Sequence, residues 1–179
     1  MRESADNYLD LIRFFKPGGT LLIFLPHAWG LTMAAYAHGL EFKIYLQWLA
    51  KFLAWSFTAR CLGCTINDIC DYEYDRKVER TKTRPIASGK ISLRSAGIFT
   101  AAQLLVYLAL MWTNDSVQRA YRMICLPLIF LYPVMKRITY FPQAWLGIAM
   151  NWGSVIAWVT VCGRLNPEVI APLMGGLWA

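Results

Sequence analysis

Three stretches of this chain contain no charged residue, and each is long enough to cross a lipid bilayer. They cover residues 17–40, 95–114 and 138–163. About 20 mainly apolar residues cross the hydrocarbon core of a membrane as an α-helix. The pattern therefore predicts three transmembrane helices.

Two further apolar stretches are less uniform. Residues 44–65 include two basic side chains, which must snorkel or face the protein interior. Residues 117–135 contain Pro127 and Pro133, so we expect a kinked span there. A last apolar run, 169–179, is too short to cross. The prediction is an all-α, multi-pass transmembrane bundle with about five complete spans and part of a sixth.

The distribution of basic residues supports this topology. Positively charged loops stay on the cytoplasmic or equivalent side of a membrane. With five alternating helices, 12 of the 18 Lys and Arg residues fall on one side: Arg2, Arg13, Lys16, Arg76, Lys77, Arg80, Lys82, Arg84, Lys90, Arg94, Lys136 and Arg137. A wrong helix count would have mixed the two sides.

Composition confirms the apolar environment and excludes other classes. Hydrophobic residues make up 57% of the chain and charged residues 16%, against roughly 25% charged residues in an average globular protein. A surface with so few charges must face lipid. The net charge of +7 does not indicate nucleic acid, because a basic soluble domain would not be this rich in Trp, Leu and Ile. Residues 1–179 are therefore expected to form a single membrane domain.

The candidate chemistry lies in residues 66–94, an acidic helix end followed by a basic loop. Asn67, Asp71 and Asp75 are spaced i, i+4, i+8, which places them on one helix face, with Asp68 beside them. Oxygen ligands of this kind, with room left for water and phosphate, suit Mg²⁺.

Cations crowd the same region and favour a phosphate ligand. The following loop carries Arg76, Lys77, Arg80, Lys82 and Arg84, and Lys136 and Arg137 come from another loop on the same side. Arginine can bind phosphate oxygens with two parallel hydrogen bonds. Acids for a metal beside bases for phosphates predict a bound diphosphate.

Other interpretations of these charges remain open. Acidic helix ends and basic loops also occur as solvated caps and topology signals. The acids could line an ion path in a transporter, although that predicts acids at mid-membrane depth. A non-catalytic membrane fragment or interaction partner is the third alternative.

Three motifs resemble the UbiA superfamily of intramembrane aromatic prenyltransferases. Residues 67–75 read NDICDYEYD and match the pattern NDxxDxxxD, and residues 80–89 match RTxxRPxxSG. Residues 132–137, YPVMKR, resemble the branch that contains 4-hydroxybenzoate polyprenyltransferases and fungal meroterpenoid enzymes. The resemblance covers nearly the whole chain.

This resemblance implies a function and a set of site residues. It implies an all-helical fold, usually of nine spans, and transfer of a farnesyl or longer polyprenyl group from its diphosphate to a phenolic acceptor. The acceptor would be 4-hydroxybenzoate or a polyketide phenol, in ubiquinone-type or meroterpenoid biosynthesis. The expected metal ligands are Asn67, Asp68, Asp71 and Asp75, and three of them, Asn67, Asp71 and Asp75, are also the expected catalytic residues. The expected diphosphate-binding residues are Arg80, Arg84, Lys136 and Arg137. The expected substrate-pocket residues are Tyr132 and Asn151.

The sequence departs from the family pattern in one respect. The family has a second aspartate motif after its fifth or sixth helix, and this chain has no Asp after Asp115. We therefore interpret it as the N-terminal portion of such a fold and expect it to insert into membranes but transfer no prenyl group on its own. The N terminus lacks the pattern of a signal or transit peptide, and endomembrane and mitochondrial inner membrane are not distinguished.

Overall fold

The computed structural model describes residues 2–112 and 115–178, and regular structure in these ranges is entirely α-helical. The helices are α1 (Arg2–Leu11), α2 (Gly18–His38), α3 (Phe42–Asp75), α4 (Leu93–Trp112), α5 (Ser116–Met123), α6 (Cys125–Ile138), α7 (Pro142–Cys162) and α8 (Pro167–Trp178). The predicted all-α class is confirmed. The ends of two predicted apolar stretches, residues 113–114 and 179, lie outside the described residues.

The three uncharged stretches form helices of membrane-crossing length. α2, α4 and α7 have 21, 20 and 21 residues, and each is apolar enough to cross a bilayer. They coincide with the three spans that the uncharged stretches predict. α8 has 12 residues, so the final apolar run is short of a full crossing in its described part.

α3 contains the predicted span 44–65 but continues well past it. Its 34 residues correspond to about 51 Å of helix, whereas the hydrocarbon core of a bilayer is about 30 Å thick. A helix of this length carries its C-terminal turns beyond the apolar layer. The acidic residues of the 67–75 segment lie on those turns.

The fifth predicted span, 117–135, forms two helices rather than one kinked helix. α5 ends at Met123 and α6 begins at Cys125, with Ile124 between them. Pro127 explains the position of the break. A proline costs little in the first turn of a helix, where its missing N–H would have no partner, whereas Pro133 lies inside α6 and Pro26 inside α2, positions that a transmembrane bundle can tolerate. The chain therefore starts a new helix just before Pro127.

The helices pack around a closed ring of α2, α3, α6 and α7, in which each contacts the next. Leu31 of α2, Phe52 and Trp55 of α3, and Ile156 of α7 form a buried cluster where three of these helices meet. α4 lies against α3 on the outside of the ring, and α8 lies against α7. The ring fixes the end of α3 relative to the end of α6.

Small residues allow α2 and α7 to approach closely. A Cβ atom on Gly30 would overlap the backbone of Ser154, and a Cβ on Gly153 would overlap the His27 ring. Glycine at such positions lets transmembrane helices bring their backbones together, since lipid supplies no hydrophobic force between them.

Gly30→Leu is therefore expected to destabilise the fold by about 1–3 kcal/mol, the usual cost of overpacking. Thermal unfolding in detergent micelles would measure the loss. Gly97→Leu is the matched control, because Gly97 lies on an exposed face of α4 with no atom near its would-be Cβ. Equal melting temperatures for the two variants would contradict the close crossing.

A candidate diphosphate site at the end of α3

The acidic face of α3 opens onto a cavity of about 560 Å³. The cavity, called the α3 cavity below, is bounded by the end of α3, the loop 76–92 and the end of α6. Its lining residues are Asn67, Asp71, Tyr74, Asp75, Val78, Arg80, Thr81, Arg84, Lys136 and Arg137. Three of the four predicted metal ligands and all four predicted diphosphate-binding residues are in this set.

Two basic residues at the end of α6 dock onto α3. Lys136 Nζ donates hydrogen bonds to Asn67 Oδ1 at 2.5 Å and to Asp71 Oδ2 at 2.9 Å. Arg137 Nη2 donates to the Cys70 carbonyl oxygen at 2.8 Å, and it lies 3.9 Å from Asp71 Oδ1. One ammonium group thus lies between two of the predicted ligand oxygens.

The loop after α3 supplies two more cations. Arg84 Nη1 donates to Asp75 Oδ2 at 2.7 Å and to Asp68 Oδ1 at 3.2 Å. Arg80 lines the same cavity, and within the described part of the chain it forms no hydrogen bond or ion pair. The guanidinium of Arg80 is therefore available to an anion.

Specific hydrogen bonds hold this loop in place although it has no regular secondary structure. Thr81 is buried and its Oγ1 donates to the Asp75 carbonyl oxygen at 3.0 Å. Arg76 Nε donates to the Ala87 carbonyl oxygen at 2.9 Å. Such side-chain bonds satisfy backbone groups that a helix or sheet would otherwise pair. The loop cations are consequently fixed relative to α3.

Asp68 lies apart from the other acidic residues. Its side chain is 1% exposed and does not line the α3 cavity. Arg13 Nη2 donates to both of its oxygens, at 2.7 and 2.9 Å. Burial raises the pKa of the Asp68 carboxyl above its ordinary value, while the neighbouring guanidiniums of Arg13 and Arg84 act in the opposite direction. The predicted metal-binding role of Asp68 stays a prediction, and its geometry points to a different one.

The two predicted substrate-pocket residues lie outside the α3 cavity. The Tyr132 ring centre is 4.8 Å from Lys136 Nζ, so this side chain borders the cation that contacts Asp71. Asn151 is buried in α7 and lines a second cavity of about 590 Å³, which is mostly apolar and lies among α2, α7 and α8.

The donor set of the α3 cavity fits a magnesium ion. No group of three or more His, Cys, Asp or Glu side chains comes together as a metal site among the described residues. Mg²⁺ does not need one, since it commonly uses one or two carboxylates and completes its shell with water and substrate phosphates. The Lys136 ammonium already draws Asn67 and Asp71 oxygens toward one positive charge.

Residues 23–179 match the family model described as the UbiA prenyltransferase family. The chain belongs to this family. Together with its apolar helices, membership identifies it as an integral membrane protein.

Several curated proteins are similar to this chain. The UbiA prenyltransferase claS of Ampulloclitocybe clavipes is 46% identical over 177 residues, which cover 96% of this chain and 55% of that protein. The mitochondrial 4-hydroxybenzoate polyprenyltransferase of Schizosaccharomyces pombe is 39% identical, with 93% and 47% covered. The 4-hydroxybenzoate geranyltransferase 1 of Lithospermum erythrorhizon is 38% identical, with 93% and 52% covered. The chain spans about half the length of these relatives.

A solved structure shares the fold of this chain. It is a digeranylgeranylglyceryl phosphate synthase in membranes, with a TM-score of 0.70 and 24% sequence identity over 98% of this chain and 60% of that chain. At this identity the likeness concerns the fold alone.

Three residues at or beside the site of this UbiA chain were not predicted as site residues from the sequence. Tyr74 lines the cavity and lies seven residues after Asn67, so helical spacing could have placed it on the same face. Thr81 belongs to a quoted motif, but no pattern showed that its hydroxyl would bond Asp75. Arg13 is 55 residues from Asp68, and nothing in the sequence linked the two.

Proposed function

We propose that the protein is a Mg²⁺-dependent aromatic prenyltransferase. It moves a farnesyl or longer polyprenyl group from its diphosphate to a phenolic ring such as 4-hydroxybenzoate or a polyketide phenol. The observation that carries the proposal is the α3 cavity, where amide and carboxylate oxygens meet four basic side chains. Membership of the UbiA family and similarity to 4-hydroxybenzoate polyprenyltransferases and a fungal UbiA prenyltransferase support it.

The charge of the α3 cavity favours an anionic ligand. Arg80, Arg84, Lys136 and Arg137 face the two carboxylates of Asp71 and Asp75. Without a ligand, these cations pair with the carboxylates or face water. A diphosphate can accept hydrogen bonds from several of them at once, and bonds between two charged groups are roughly twice as strong as neutral ones.

Prenyltransferases of this family generally use a divalent metal ion. In this chain Asn67, Asp71 and Asp75 would hold it, and Asp68 would not, because both of its oxygens are bonded to Arg13. The bound ion would neutralise charge on the leaving diphosphate. Lys136 would exchange its contacts with Asn67 and Asp71 for phosphate oxygens.

The basic residues supply the remaining stabilisation of the leaving group. The allylic C–O bond breaks with its electron pair on the diphosphate, and Arg80, Arg84, Lys136 and Arg137 stabilise that charge as it develops. A carbon of the phenol ring then bonds to the allylic carbon, and the ring loses a proton. Water must be kept away from the allylic cation, which a pocket at the membrane achieves.

The second cavity suits an apolar part of a substrate. Leu22, Leu25 and Trp29 of α2 face Met150 of α7 across it, and Asn151 is a polar group in its wall. We propose that this cavity takes the apolar part of the substrate, with Asn151 orienting a polar group of it, and that Tyr132 contacts the substrate beside Lys136. A mostly apolar lining with few polar groups is typical of ligand sites.

A chimeric enzyme tests the proposed function. The segment of the Schizosaccharomyces pombe relative that aligns with this chain is replaced by residues 1–179, and membranes containing the chimera are given Mg²⁺, farnesyl or longer prenyl diphosphates and a panel of phenolic acids. Prenylated product is expected. A chimera that inserts, resists unfolding as well as its parent and yields no product would favour a non-catalytic membrane partner.

A further inference from the structure

We propose that Arg13 is a positioning residue for the diphosphate site. From the turn between α1 and α2 it neutralises the buried carboxylate of Asp68, which leaves Arg84 free to face the α3 cavity. The inference rests on the proposed function, because it concerns the residue that we place on the leaving diphosphate. Arg13 itself does not line the cavity.

Arg13 is held firmly by its surroundings. Its backbone adopts the left-handed conformation, with φ 59°, just after α1 ends. Nη1 donates to the Asp10 carbonyl oxygen at 3.2 Å, and Nη2 donates to both oxygens of Asp68. A non-glycine residue keeps this conformation only where the surrounding structure enforces it. The guanidinium therefore has a fixed place beside Asp68.

Arg84 lies between two carboxylates that compete for it. Its Nη1 is 2.7 Å from Asp75 Oδ2 in the cavity and 3.2 Å from the buried Asp68 Oδ1. Asp68 Oδ1 in turn lies 2.7 Å from Arg13. Two cations share the charge of Asp68, so the shorter contact of Arg84 is the one with Asp75.

Removal of Arg13 should shift this balance. A buried carboxylate without a counter-charge is costly, and Arg84 would be the cation left to it. Arg84 should then move toward Asp68, away from Asp75 and from the place where a phosphate would bind. The expected loss is chiefly one of diphosphate affinity, because Arg84 takes over as the counter-charge of Asp68 and limits the cost to folding.

α1 has a second attachment that does not depend on Arg13. Leu11 is fully buried in a cluster with Ile86 and Ile91 of the loop 76–92 and Ala96 of α4. Tyr8 of α1 packs against Phe99 of α4 with ring centres 4.8 Å apart. These apolar contacts should keep α1 and the loop together when Arg13 is replaced.

Two variants distinguish a positioning role of Arg13 from a purely structural one: the first removes the charge of Arg13, and the second also removes the charge of Asp68. Binding of inorganic diphosphate in the presence of Mg²⁺ is measured by calorimetry on residues 1–179 in lipid nanodiscs. Arg13→Met should weaken binding by about tenfold or more, as expected for a residue that orients a ligand-binding group. The double variant Arg13→Met/Asp68→Asn should recover most of the affinity, because Asp68 no longer draws Arg84 away. Arg94→Met, at an exposed site in the first turn of α4, is the control.

The binding results distinguish failure of the role proposed for Arg13 from failure of the proposed diphosphate site. If the double variant binds as weakly as Arg13→Met while both melt at the native temperature, Arg13 does not act through the charge of Asp68. Native affinity in Arg13→Met would also overturn the inference while leaving the proposed function intact. Failure of the native chain to bind diphosphate would count against the proposed site, and the inference would fall with it.

Discussion

Asp71→Ala is expected to abolish prenyl transfer while the protein still inserts into membranes. Replacing residues that merely orient a metal ligand commonly costs about 10–100-fold in activity, so loss of a proposed ligand should cost more. The Asp71 side chain is 18% exposed and contacts Lys136 and Arg137, both at the surface of the cavity. Its removal should therefore do little damage to the fold. The measurement is product formation by the chimera over a range of Mg²⁺ concentrations.

Glu73→Ala is the matched control for Asp71→Ala. Glu73 is an exposed acid on the same turn of α3, bonded to the Tyr72 hydroxyl, and it does not line the α3 cavity. It should retain activity at every Mg²⁺ concentration. Near-normal turnover of Asp71→Ala at limiting Mg²⁺ would show that the metal assignment is wrong.

Arg84→Lys is expected to weaken affinity for prenyl diphosphate by roughly 1.5–3 kcal/mol, the contribution of a charge-assisted hydrogen bond. Lysine keeps the positive charge but lacks the planar fork that can contact two oxygens at once. In the structure Arg84 already contacts two carboxylates through one nitrogen. Affinity for the phenolic acceptor should change little, and KM values for the two substrates in the chimera would measure both effects.

Lys82→Met controls for a general disturbance of the loop. Lys82 is exposed, forms an ion pair with Glu79 at 2.7 Å and does not line the α3 cavity. It should leave both KM values near native. Equal losses for diphosphate and phenol in Arg84→Lys would indicate misfolding instead of a lost phosphate contact.

Local patterns predicted the helices and one face of the site. A stretch without charges needs no tertiary information to be placed in a membrane, and the three such stretches became α2, α4 and α7. The i, i+4, i+8 spacing of Asn67, Asp71 and Asp75 placed them on one face of α3 in the same way, and all three line one cavity.

Features that depend on distant parts of the chain were not predictable from these patterns. Asp68 is adjacent to Asn67, and the helical period turns it to another face of α3, but its buried partner Arg13 lies 55 residues away. The break at Ile124 follows from where Pro127 falls in a helix turn, and the apolar pattern alone did not show that a second helix would start there. The pairing of Asp68 with Arg13 is set by tertiary packing, whereas the break at Ile124 coincides with the local position of Pro127 in the first turn of α6.

We propose that the end of α3 holds a divalent metal together with a diphosphate. Electron paramagnetic resonance of Mn²⁺, used in place of Mg²⁺, tests it directly on residues 1–179 in nanodiscs with inorganic diphosphate. We expect bound Mn²⁺ with a hyperfine coupling to ³¹P that disappears in Asp71→Ala and persists in Glu73→Ala. Bound Mn²⁺ without ³¹P coupling, or the same coupling in Asp71→Ala, would contradict the claim.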